Sequence, residues 1–135
     1  MKKNLIIFSI VSIVGISFYL FKSDSFSLKN EELLKFLNRD QITSNDTVVH
    51  ITEAGFEPEK VVIKKGNRVV WINEKESYSW PASDPHPTHE NYSGFDPEEP
   101  FRNGEAWAYR FELGGNWQYH DHLKPSSLGI VEVRE

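Results

Sequence analysis

The stretch Glu59–Asn73, "EKVVIKKGNRVVWIN", decides the fold. Val61 and Ile63 alternate with Val62 and lysines, and Val69 and Trp71 alternate beyond Gly66-Asn67, which has the chemistry of a tight turn. Period-two alternation of β-branched and aromatic residues around such a dipeptide predicts two strands joined there. Working outward, "TVVHITE" from Thr47 reads as a preceding strand and "EAWAYRFEL" from Glu105 as a following one. Gly114-Gly115 marks a turn, and "NWQYH" and "GIVEV" supply the last two strands. No helical periodicity intervenes from Thr47 onward, so the expected architecture is an all-β, antiparallel or mixed sandwich over residues 46–135.

The residues before it read differently. Lys2 and Lys3 precede "NLIIFSIVSIVGISFYLF", whose uncharged run Leu5–Phe21 ends at Lys22. Seventeen residues at about 1.5 Å each span roughly 25 Å, near the lower limit for a bilayer. The pattern predicts an uncleaved N-terminal signal anchor over residues 1–22, because the bulky "SFYLFK" offers no small-residue cleavage site. A cleaved signal peptide is the alternative. Either way the lysines stay inside, and the domain is expected outside the cytoplasm, at the periplasmic or cell-surface side. Residues 23–45 read as a linker, a spacer between membrane and domain, with a short amphipathic helix carrying Leu28, Leu33, Leu34, Phe36 and Leu37 and Ser27 as a candidate cap; a helix packed on the domain's flank is the alternative.

Charge and cysteine usage narrow the function. From Asp46 to Glu135 nine Lys/Arg stand against sixteen Asp/Glu, a net charge of −7. Nucleic-acid binding needs a basic face, so this balance argues against it. The 135 residues contain no cysteine, so no disulfide staples the fold and its apolar core must suffice.

The order of these pieces resembles the cupredoxin family of small copper-binding Greek-key β-sandwiches, from Val48 to Val133. The opening motif is matched at Gly55, Phe56, Pro58, Val61, Ile63, Gly66, Val69, Trp71 and Asn73. "GEAWAYRFELGGNWQYHDH" is similar to the later segment of the family pattern, and "LGIVEV" to its closing strand. The resemblance implies a copper cofactor, yet the four ligand positions of the family's blue site carry Ser79, Asp121, Lys124 and Ser127. Without the Cys thiolate there is no blue centre. Fold does not fix function, so a site must be argued from the residues present.

Those residues are histidines. On extended backbone His120 and His122 point to one side and Asp121 to the other, with the pair expected to face outward. Two ligands rarely hold an ion, and four are usual for tetrahedral sites. His86 and His89 lie in "SDPHPTHENY", braced by Pro85 and Pro87, which are expected to keep the backbone extended. In the arrangement that the resemblance implies, this loop lies beside the last strand pair, so four of the five histidines converge. The candidate ligands are His86, His89, His120, His122 and Asp121, for Cu²⁺ first and Zn²⁺ second. Asp121, Asp84 or Glu90 serves as an oxygen ligand or as acceptor for an imidazole N–H. His50, mid-strand, reads as structural.

The long segment Glu74–Gly104 has no clear period and five prolines, but Trp80, Tyr92 and Phe95 favour an ordered loop. "DPEEP", Asp96–Pro100, reads as a solvated acidic turn. Trp71, Trp107 and Trp117 read as core. No nucleophile elbow is present, so an enzyme is not expected. The functional expectation is a copper-binding protein for handling or sensing the ion. A metal-free interaction module and a small copper redox protein are the alternatives, and no protein partner is indicated.

Overall fold

The computed structural model describes residues 36–37 and 41–135. The expected anchor at 1–22 and most of the linker lie outside the described residues. Among the described residues no helix is long and apolar enough to cross a membrane.

Eight strands follow one another: β1 (Thr47–Ile51), β2 (Phe56–Glu57), β3 (Lys60–Lys64), β4 (Arg68–Asn73), β5 (Pro81–Ser83), β6 (Ala106–Arg110), β7 (Gly115–Asp121) and β8 (Lys124–Arg134). They form two four-stranded sheets, ordered β2-β1-β4-β6 and β3-β8-β7-β5. Both sheets are mixed: β1 runs parallel to β4 and β3 parallel to β8, while the remaining pairs are antiparallel.

The Gly66-Asn67 turn does not make a hairpin. β3 pairs with β8 in one sheet and β4 with β1 and β6 in the other, so the chain changes sheets there. Gly66 has φ +82°, a conformation that costs a glycine nothing. The same turn chemistry serves a hairpin or a corner, and the partners decide which. β3 buries Val61 and Ile63 on one face only, as its alternation demands. The unbroken "VVWI" of β4 is buried on both faces, which requires cover on each side.

That cover differs by face. Between the sheets, Val49, Ile51, Val69, Trp71, Trp107, Val61, Ile63, Tyr119, Val131 and Val133 form the main core with Phe95 and Phe111. Trp71 is its hub, with ring centroids 5.1–6.3 Å from Phe95, Trp107, Phe111 and Tyr119. On the far side of β4, Val70, Ile72 and Ala106 are capped by Leu37 and Ile42. Leu37 pairs with Ala106 as an isolated bridge, and Phe36 packs on Phe101 at 5.2 Å. Part of the segment read as a spacer thus lies on the flank of the sandwich.

Two details generate tests. Gly129 faces Tyr119 across β7 and β8, and a Cβ there would sit 2.2 Å from Tyr119 Cζ. Gly129→Ala should therefore lower unfolding free energy by about 1–3 kcal/mol in urea, the usual cost of overpacking. Asp46, ahead of β1, takes a two-pronged contact from Arg68 on β4, at 2.8 and 2.5 Å. The Arg68 hydrogen bond, more than its charge, holds the Asp46 carboxyl down at about 2. A carboxyl depressed on folding contributes stability above its unfolded pKa, near 4, and loses it as pH falls toward 2. Asp46→Asn should flatten the fall of melting temperature between pH 4 and pH 2 relative to the parent.

Candidate metal centre

The structure brings four histidines to one rim. His86, His89, His120 and His122 each offer a ring nitrogen, and these atoms all lie within 4.8 Å of one another. β7 carries His120 at its end, and His122 sits in the two-residue turn into β8. Tyr119 points into the core, so the alternation sends His120 to the outer face of its sheet. There it is not open to water, because the segment after β5 folds over it and leaves it 1% exposed. The pair does not simply face outward: His120 is buried and His122 half-buried.

The covering segment is a turn rather than an extended brace. His89 N–H donates to Pro85 C=O at 2.9 Å and Asn91 N–H to Asp84 C=O at 2.9 Å, closing the loop on itself. Asp84 N–H donates to Gln118 C=O, which anchors the loop's start to β7. Tyr92 and Phe95 then plunge into the core and fix its end. His89 sits at φ +54°, a strained left-handed conformation of the kind that concentrates at functional sites.

The ring nitrogens have assigned duties. His120 Nδ1 donates to Asp84 Oδ1 at 2.6 Å, which leaves its Nε2 lone pair for the cluster. His120 Nε2 is buried and has no hydrogen-bond partner. His89 Nδ1 donates to Asp96 Oδ2 at 2.6 Å, leaving its Nε2 as an acceptor. His122 Nδ1 lies 2.9 Å from that His89 Nε2. With His89 Nε2 the acceptor, His122 Nδ1–H donates to it, and an ion held by both nitrogens would replace this hydrogen bond. His86 is exposed, with its ring 5.2 Å from that of His120 and 4.7 Å from that of His122. Trp80 closes one side by packing on His122 with centroids 4.5 Å apart. Burial, then the charges of His89, His86 and His120, push the His122 pKa below its ordinary value.

Asp121 and His50 stand outside this group. His50 is exposed and meets Glu74 at 2.9 Å. Asp121 points to the other side, as its place between the histidines dictates. It is 1% exposed, and Lys75 Nζ (2.8 Å), Ser79 Oγ (2.7 Å) and the Trp80 and Leu123 amides (both 3.1 Å) donate to its carboxylate. Burial raises the Asp121 pKa, but the hydrogen bonds of Lys75 and Ser79 with the Lys75 charge outweigh it, and the carboxyl stays ionised below the usual range. With four donors on its two oxygens, Asp121 orders the rim instead of reaching an ion there.

Three participants were not legible in the sequence. Asp96 was read as part of a solvated turn, yet it accepts from His89 and from Trp80 Nε1 at 2.7 Å. Trp80 packs on a candidate ligand, and Lys75 neutralises Asp121. No spacing joins Asp96 to His89 in advance, since carboxylates crowd this acidic loop.

Comparison with solved structures follows this geometry. Amicyanin from Paracoccus versutus is similar at 22% identity with a TM-score of 0.62, covering 73% of this chain and 91% of that one. A Cu(I) form of an amicyanin variant is 18% identical with a TM-score of 0.62, at the same coverages. A purple cupredoxin from Nitrosopumilus maritimus is 21% identical with a TM-score of 0.57, covering 66% of this chain and all of that one. No protein-family model matches the chain, and no curated protein matches it. The chain has a cupredoxin fold. The sequence that adopts this fold has no cysteine, and its described residues include a cluster of four histidines.

Removing one partner of a buried ion pair leaves the other charge uncompensated, at a cost of about 3–5 kcal/mol. Asp121→Ala should lose that much stability in urea unfolding. The double change Lys75→Met with Asp121→Leu should recover only the part due to the unpaired ammonium, since Ser79 Oγ and the Trp80 and Leu123 amides still lose their acceptor.

Proposed function

We propose that the protein binds copper through His86, His89, His120 and His122, as a non-blue centre that holds or senses the ion outside the cytoplasm. One observation carries the reading. His120 Nε2 is buried with no hydrogen-bond partner, and it belongs to the group of four mutually close imidazole nitrogens. A buried orphan acceptor costs about 1–3 kcal/mol, and a cation among the four nitrogens removes that cost.

The donor set fits the ion. Imidazole suits copper and zinc, and among divalent ions the general affinity order places Cu²⁺ above Zn²⁺. Asp84 and Asp96 behind His120 and His89 fix the ring orientations, as carboxylate–histidine pairs do at metal sites. Copper, when bound, supplies a Lewis-acidic centre able to change oxidation state by one electron. The chain's residues do the rest: the 84–96 loop excludes water from His120, Trp80 holds the ring of His122, and His86 faces solvent. The extracytoplasmic placement rests on the Lys2-Lys3 and Leu5–Phe21 pattern.

Full-length protein titrated with Cu²⁺ should bind about one equivalent and show a spectrum free of the intense thiolate band of blue sites. Affinity should fall below about pH 6, because protons compete for the same imidazoles. Replacing His120 and His122 together by Ala should weaken binding at least about tenfold. Unchanged binding by that double variant would overturn the assignment.

A further inference from the structure

Two of the four imidazoles are backed by carboxylates that are themselves shielded. Asp84 and Asp96 side chains are 25% and 24% exposed, and each lies 2.6 Å from the Nδ1 it accepts from. Asp96 is fixed independently of any ion, because Trp80 Nε1 and the Glu98 amide also donate to it at 2.7 and 2.6 Å. No soft donor is at hand among the described residues. The chain lacks cysteine, and its single methionine is Met1.

We infer that Asp84 and Asp96 are positioning residues that set the oxidation state the site retains, favouring Cu²⁺ over Cu⁺. The inference rests on the proposed copper centre and adds to it a preference between two states of the same ion. Four neutral imidazoles and two carboxylates contribute a charge of −2. With Cu²⁺ the assembly is neutral. Uptake of one electron to give Cu⁺, with protons unchanged, leaves −1 in a pocket partly closed to water, where the added negative charge meets two fixed ones. Donor softness acts in the same direction, since thiolates and thioethers select Cu⁺ and none is present among the described residues. Hydrogen bonding to carboxylate also makes each imidazole a stronger base toward the harder ion.

The test measures Cu²⁺ affinity in air and Cu⁺ affinity under anaerobic conditions. Both are read on the full-length protein by competition with chromogenic chelators. Asp84→Asn keeps a carbonyl acceptor for the His120 Nδ1–H and removes the charge, whereas Asp96→Asn removes the charge and also turns one of two accepting oxygens into a donor. Each should lower Cu²⁺ affinity about tenfold with little change for Cu⁺. For a one-electron couple, that tenfold change in ratio raises the reduction potential by about 59 mV. Tighter binding of Cu⁺ than of Cu²⁺ by the unmodified protein overturns the inference and leaves the copper centre standing. So does an unchanged ratio in both folded variants. Failure of the unmodified protein to bind either ion overturns the centre itself. If a variant does not fold, the ratio measured on the unmodified protein decides.

Discussion

The rim of this sandwich depends on the carboxylate of Asp121. Four donors converge on it from three places in the chain: Lys75 and Ser79 ahead of β5, the Trp80 amide, and the Leu123 amide in the β7–β8 turn. A buried charge is tolerable only when paired and hydrogen-bonded, so none of these elements can move without exposing a cost of several kcal/mol. The neighbours of Asp121 in the chain are His120 and His122. Fixing the carboxylate on one side of the strand end fixes the two imidazoles on the other. The Trp80 carbonyl completes the arrangement by accepting from the His122 amide at 2.7 Å.

The resemblance to blue copper proteins gains meaning from this. Ser79 and Asp121, which the sequence resemblance sets at a histidine and the thiolate position of the family pattern, bond directly to each other here at 2.7 Å. Lys124, at a third such position, is exposed and reaches the Glu53 carbonyl at 3.2 Å. The interior end of the sandwich is filled by a hydrogen-bonded ion pair, and the cluster of nitrogen donors lies across the strand from it. Similarity to amicyanins and to a purple cupredoxin, at about one identical residue in five, describes the scaffold. The chemistry must come from the side chains of this chain.

Much of the scaffold was written in local patterns. Period-two alternation marked β1, β3, β4, β6, β7 and β8, because each buries one face or both against the same aromatic core. The pairing of β3 and β4 was not legible, since Gly66-Asn67 permits a hairpin as well as a corner and only distant β8 and β1 decide. The convergence of His86 and His89 with His120 and His122 followed from two histidine pairs and the expected loop placement. The duty of Asp121 was half legible: alternation set its direction, but Lys75, 46 residues away, determined what it bonds. Pro85 and Pro87 do not keep the backbone extended, because the segment closes on itself as His89 N–H donates to Pro85 C=O.

The exposure of His86 gives the cluster a direction. Asp84 and Asp96 tether two of its rings and Trp80 flanks a third, while His86, at the solvent boundary, has the rings of His89, His120 and His122 beside it. On the proposed reading, a donor arriving from outside meets this ring first and need displace only one of the four to begin taking the cargo away. The protein would then behave as a dish with a single lip, over which loading and unloading run along the same path.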